Sequence, residues 1–205
     1  MYPTLATYLA ERRTEYAQID NERARRWLPL VNYLDEQLAV GLPARINYIC
    51  THNSRRSQLA QAWTTLIAHA LHWDNVTAFS GGTEVTAVPA ALFRTLESAG
   101  WRVDTPEAGS SVVRYGDQTK QSFRLWSKRY DDATNPTTDF AAVLVCAEAD
   151  EACPVVPGTV LRLPLPFTDP KAADGTARAA ATYAARSRDI CRELLFAFDQ
   201  VKGLV

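Results

Sequence analysis

Ile46-Asn47-Tyr48-Ile49-Cys50-Thr51-His52-Asn53-Ser54-Arg55-Arg56-Ser57 sets a short apolar run directly before a cysteine, with an arginine six positions further on. Such a run ahead of a polar loop reads as a buried strand, and the residues from about Ser57 to His69 read as a helix. Cys50 therefore falls at a strand end, just before a helix N-terminus, where successive backbone N–H groups can surround a tetrahedral oxyanion. Those donors and Arg56 would favour a thiolate at Cys50. Arg56 also has the planar donor fork that clamps oxyanion oxygens. Asn53 can hold the loop's shape by hydrogen bonds, and Ser57 can donate to the sulfur. The expectation is covalent cysteine chemistry on phosphate or arsenate. The plainer alternative is a buried Cys50, a solvent-facing Arg56 and a helix capped at Ser54 or Ser57.

Working outward, residues 3 to about 40 read as two helices with a break near Asp20-Asn21. Leu5, Tyr8 and Leu9 give the first an apolar face, and Leu28, Val31, Leu34 and Leu38 the second. Gly41-Leu42-Pro43 is a stop. Amphipathic helices of this kind are expected to brace a core, with a cap or a homodimer surface as alternatives. Strands are predicted at Arg45–Ile49, Val76–Phe79, Phe140–Val145 and Val160–Leu163, and further helices at Ala90–Ser98 and Ala177–Phe198. This order predicts an α/β chain with a central parallel four-stranded sheet flanked by helices and reactive loops at the strand ends. Residues 1–44 form an N-terminal helical extension in this reading, and residues 45–205 the catalytic domain.

The chain has 205 residues and a net charge of −1, which suits one sizeable α/β domain and gives no general attraction for nucleic acid. No stretch has the length and apolarity of a membrane span, and the N-terminus lacks a secretory pattern, so a cytoplasmic protein is expected. Four cysteines are too few for a disulfide scaffold. His69 and His72 have no acidic or cysteine neighbours at metal-ligand spacing, and no metal is assigned.

Two further segments bear on the chemistry. Asp169 sits in Leu165-Pro166-Phe167-Thr168-Asp169-Pro170, where the following proline restricts it; it can be held over the Cys50 loop or simply cap a turn. Cys146 ends the apolar strand, and Cys153 follows seven positions later in a polar segment that continues as Pro154-Val155-Val156-Pro157-Gly158. That separation can place one thiol near the loop and leave the other on a movable surface segment.

Together, Cys50–Ser57, Asp169-Pro170 and the Cys146/Cys153 segment resemble the low-molecular-weight protein tyrosine phosphatase superfamily, and within it the thioredoxin-coupled arsenate reductase branch. The resemblance covers roughly residues 45–199. It implies that Thr51, His52, Asn53, Ser54, Arg55, Arg56 and Ser57 wrap the oxyanion, with Cys50 as nucleophile, Arg56 as its clamp and Asn53 and Ser57 organising the loop. It implies that Asp169 protonates a leaving oxygen. The family commonly has glycine where His52 stands and cysteine where Arg55 stands; His52 receives no base role, and Arg55 is expected to face solvent.

For an arsenate reductase the resemblance implies a relay. Cys50 attacks arsenic, Cys146 attacks Cys50 with release of arsenite, and Cys153 attacks Cys146; thioredoxin or a similar dithiol then reduces the Cys146–Cys153 disulfide. No tightly bound cofactor is needed. The competing reading is phosphate-monoester hydrolysis through a phosphocysteine, with Trp126 and Tyr130 as candidate aromatic walls. A third is a phosphate-sensing scaffold without turnover, against which Asp169 and the two extra thiols speak. Gly81-Gly82-Thr83-Glu84 can support the loop, Ser127–Tyr130 beside Asp131-Asp132 reads as a solvated mixed-charge face, and Cys191 reads as a buried helix residue.

Overall fold

The computed structural model describes residues 1–104, 109–152 and 155–202. In chain order it runs α1 (Pro3–Arg13), α2 (Asn21–Arg26), α3 (Leu28–Ala39), β1 (Ala44–Cys50), α4 (Arg56–Ala70), β2 (Val76–Gly82), α5 (Ala90–Ser98), β3 (Arg102–Val103), β4 (Ser111–Arg114), β5 (Ser122–Leu125), β6 (Phe140–Leu144), α6 (Ala147–Ala152), β7 (Thr159–Pro164) and α7 (Ala179–Asp199). The main sheet is parallel and four-stranded, as expected from the sequence, and its strand order is β2-β1-β6-β7. β6 is buried along its whole length and β1 at all but one position, the pattern of strands covered on both faces.

This order places β1 and β6 side by side at the centre. Ile49 pairs with Leu144, and the Val145 N–H reaches the Ile49 carbonyl at 2.8 Å, so Cys50 and Cys146 leave adjacent strands at the same sheet edge. That C-terminal edge is where an open α/β sheet places its ligands.

The N-terminal segment forms three helices rather than two. Asp20 caps α2 by accepting the Arg23 N–H at 2.8 Å, and Pro29, in the first turn of α3, has no N–H to continue a helix through Trp27. Leu5, Leu9, Trp27, Leu30 and Leu34 share one buried cluster with Ile46, Tyr48 and Val143 of the sheet. A second sheet, antiparallel with order β3-β4-β5, was not expected. Among the described residues no helix is long and apolar enough to cross a membrane.

Candidate active site

The loop from Cys50 to Arg56 is shaped by bonds that pull its carbonyls outward. Cys50 O accepts from the Thr83 N–H at 3.2 Å and Thr51 O from the Glu84 N–H at 2.8 Å. His52 O accepts from the Ser127 and Thr86 hydroxyls at 2.8 and 3.2 Å, and Asn53 O from Gln58 Nε2 at 2.8 Å. In a trans peptide the C=O and the following N–H point opposite ways, so four outward carbonyls turn the N–H groups of residues 51–54 to the inner side. This is the arrangement of an anion-binding nest.

Asn53 holds the bend. Its φ of 45° is in the left-handed region, which asparagine tolerates better than most residues. Its side-chain oxygen accepts from the Lys128 N–H and Gln58 Nε2, both at 3.0 Å, which orients Nδ2 toward Ser57 Oγ at 2.9 Å. Because Asn53 donates to that hydroxyl, the hydroxyl hydrogen is directed to Cys50 Sγ, 3.1 Å away. Cys50, Asn53, Ser54 and Ser57 are all buried.

Arg56 is buried and turned inward, which excludes the solvent-facing alternative. Nη1 donates to Phe167 O at 2.9 Å and Nη2 to Asp169 Oδ2 at 2.8 Å, while Glu148 of α6 approaches Nη1 at 3.9 Å. Asp169 also accepts the Lys171 N–H at 2.9 Å, capping the short 3-10 turn Pro170–Ala173. The capping and loop-facing expectations for this residue thus describe its two oxygens. Cys146 is fully buried; Thr51 Oγ1 lies 3.5 Å from its sulfur, and the Ala149 N–H donates to it at 3.3 Å. Burial pushes the Cys146 thiol up, with Cys50 nearby adding to the shift. Cys153 lies outside the described residues.

Two expectations need correction. Arg55 does not face solvent: its side chain is 12% exposed, donating to Tyr183 OH and Asp174 Oδ2, both at 2.5 Å. Lys128 is not part of a solvated face; it is buried, with Nζ 4.0 Å from the Trp126 ring centroid. His52 remains at the rim, 3.5 Å from Glu84. Gly81 and Gly82 belong to the end of β2, where a Cβ on Gly82 would stand 2.6 Å from Thr51 O and one on Gly81 2.2 Å from Tyr130 Cα. Gln58 was missed, although a glutamine inside the buried stretch of α4 signals an internal partner. Cys191 is buried. Among the described residues no group of three His, Cys, Asp or Glu side chains is placed to hold a metal ion.

No family model matches the chain. Curated relatives are similar at low identity. An arsenate reductase from Bacillus licheniformis is 27% identical over 144 residues, covering 70% of this chain and 86% of the relative. One from Brevibacillus brevis is 29% identical over 126 residues, covering 61% and 75%. Among solved structures, a YwlE mutant from Bacillus subtilis superposes with a TM-score of 0.52 at 14% identity, covering 78% of this chain and 99% of that one. A low-molecular-weight protein tyrosine phosphatase from Bacillus subtilis gives 0.51 at 16% identity, covering 76% and 95%. At these identities the likeness establishes architecture: the fold is that of the low-molecular-weight protein tyrosine phosphatases, with an N-terminal helical extension.

Proposed function

We propose that the chain hydrolyses phosphate monoesters through a phosphocysteine. The observation that carries this reading is the Asp169 carboxylate, 2.8 Å from Arg56 and beside the loop that begins at Cys50. Hydrolysis needs a nucleophile, a clamp and a proton donor, which Cys50, Arg56 and Asp169 supply. Substrate oxygens take the Arg56 fork and the inward N–H groups, and Cys50 Sγ attacks phosphorus. The phosphorus–oxygen ester bond breaks, and Asp169 in its acid form gives its proton to the leaving oxygen. Water then attacks phosphorus, Asp169 takes up a proton from it, and the sulfur leaves as a thiolate held by Ser57. The nest stabilises charge that grows on the phosphoryl oxygens in both steps.

Arsenate reduction is the second reading. Cys146 at the loop's edge and the relatives described as arsenate reductases favour it. It needs Cys153 to complete the relay, and thioredoxin or a similar dithiol as reductant.

One purified preparation separates the two. Turnover of p-nitrophenyl phosphate is expected, abolished by Cys50→Ser, reduced about 100-fold or more by Asp169→Asn, and retained by Cys153→Ser. Absence of ester hydrolysis, with arsenate-dependent oxidation of thioredoxin that Cys153→Ser removes, would transfer the assignment to the reductase.

A further inference from the structure

We propose that Arg23 and Arg55 are positioning residues for Asp169, anchoring the two ends of the strap formed by residues 165–174. The inference rests on the hydrolase reading of Asp169 as the proton donor.

The strap leaves the main sheet after β7. Its first residues are tied to the end of β6, with the Leu165 and Phe167 N–H groups donating to Leu144 O and Val145 O at 2.8 and 3.1 Å. At Phe167 the N-terminal extension arrives. The Arg23 guanidinium lies 4.6 Å from the Phe167 ring centroid, and its Nε donates at 2.6 Å to Glu193 Oε2. Trp27 Nε1 binds the same oxygen at 3.0 Å. This places a fixed cation against the side chain of Phe167, whose backbone carbonyl accepts from Arg56.

At the far end the anchor comes from the loop itself. Arg55 donates to Tyr183 OH and to one Asp174 oxygen, and Tyr183 OH donates to the other at 2.7 Å. The triangle is closed, and Tyr183 is fully buried in α7. A planar fork on a carboxylate and a phenol fixes direction as well as distance.

Asp169 lies between these anchors. Arg56 donates to it, but a bound oxyanion takes that fork, and the acid's position then depends on the strap. Small displacements of a positioned group cost large factors in rate. The Arg55–Asp174 pair ties the end of the strap to the residue before Arg56.

The experiment compares phenyl phosphate, whose leaving group needs a proton, with 2,4-dinitrophenyl phosphate, whose leaving group does not. Wild type, Arg23→Met, Arg55→Met and Asp174→Asn are measured as full chains. Asp174→Asn opens the second anchor from its more exposed partner, which guards against a folding defect at Arg55. The ratio of kcat/KM on phenyl to kcat/KM on dinitrophenyl phosphate, which reports the steps up to ester cleavage and not hydrolysis of the shared phosphocysteine, is expected to fall at least about tenfold in each variant, toward the ratio in Asp169→Asn. A ratio equal to wild type, whatever the absolute loss, overturns the proposal, because a general structural defect lowers both substrates together.

Amide exchange of the strap peptide without substrate gives an independent reading. It is expected to quicken in all three variants while exchange in α4 stays as in wild type, and unchanged strap exchange overturns the anchoring. If wild type hydrolyses neither ester, the hydrolase assignment fails by that result, and exchange alone decides whether the anchors exist.

Discussion

Lys128 concentrates two unlike roles in one residue. Its backbone N–H donates to Asn53 Oδ1 and so helps shape the Cys50–Arg56 loop, while its ammonium is buried against Trp126. Burial pushes the amine down from 10.5 to about 8, with Asp132 acting in the opposite direction. Between those values the unfolded chain holds the proton and the folded chain does not, so stability rises with pH across that window. Below about 8 both states are charged and the desolvation penalty is felt in full. One pKa unit corresponds to about 1.4 kcal/mol, so the penalty is on the order of 3 kcal/mol before the ring contact offsets part of it. Lys128→Met keeps the backbone bond and is expected to stabilise the protein at neutral pH. Urea unfolding at several pH values checks this: the variant's stability should lack the wild-type rise above pH 8, and a parallel rise in both would sink the idea. Sequence reading reached Cys50, Arg56, Asn53 and Ser57 because a cysteine and arginine at fixed spacing after a strand constrain the loop between them. It misjudged Lys128 and Arg55 because charged side chains default to solvent: Arg55 is covered by partners from distant segments, Asp174 and Tyr183, and Lys128 folds back on Trp126, two residues before it, which no periodicity announces.

Elements bring the chemistry together through the ends of parallel strands. β1 delivers Cys50, β6 delivers Cys146, and β2 finishes in two glycines against the loop. These strands were legible because continuous apolar runs such as Phe140–Val145 have few other uses. The β3-β4-β5 sheet was not, since its strands are two to four residues long and carry Arg102, Arg114 and Arg124. The end of β2 yields a sharp prediction. A Cβ on Gly82 would meet Thr51 O at 2.6 Å and Asn53 N at 2.8 Å, both backbone atoms of the loop. No flexible side chain can swing aside to relieve that contact, so the loop must move. Gly82→Ala is therefore expected to weaken inorganic phosphate binding by about tenfold or more, since that scale of loss follows from small misplacements of donors. Isothermal titration calorimetry gives the measurement, with circular dichroism to confirm a folded chain. Phosphate affinity equal to wild type would mean that the loop tolerates the shift.

At the scale of the whole molecule, α1–α3 and the sheet bury their side chains in a common cluster. Leu34 of α3 and Trp27 at its start are almost fully buried there, together with Ile46 and Phe198. Polar ties join the same parts: Glu15 binds Arg12 and Arg188, and Arg13 binds Asp199. We propose that the N-terminal helices and the residues of the candidate site unfold as one cooperative unit. Leu34→Ala removes a buried side chain without touching the site, and such truncations cost about 3 kcal/mol. In a chain of this size that corresponds to a fall of about 10 °C in Tm. The decisive comparison uses two reporters on the variant: far-ultraviolet circular dichroism for the helices and alkylation of Cys146, which is buried when folded. Coincident transitions, both shifted, are the outcome expected of a single unit. If Leu34→Ala melts helical signal early while Cys146 stays protected to the wild-type temperature, the extension is a separable layer. Its contact with Phe167 would then be lost before the main sheet is.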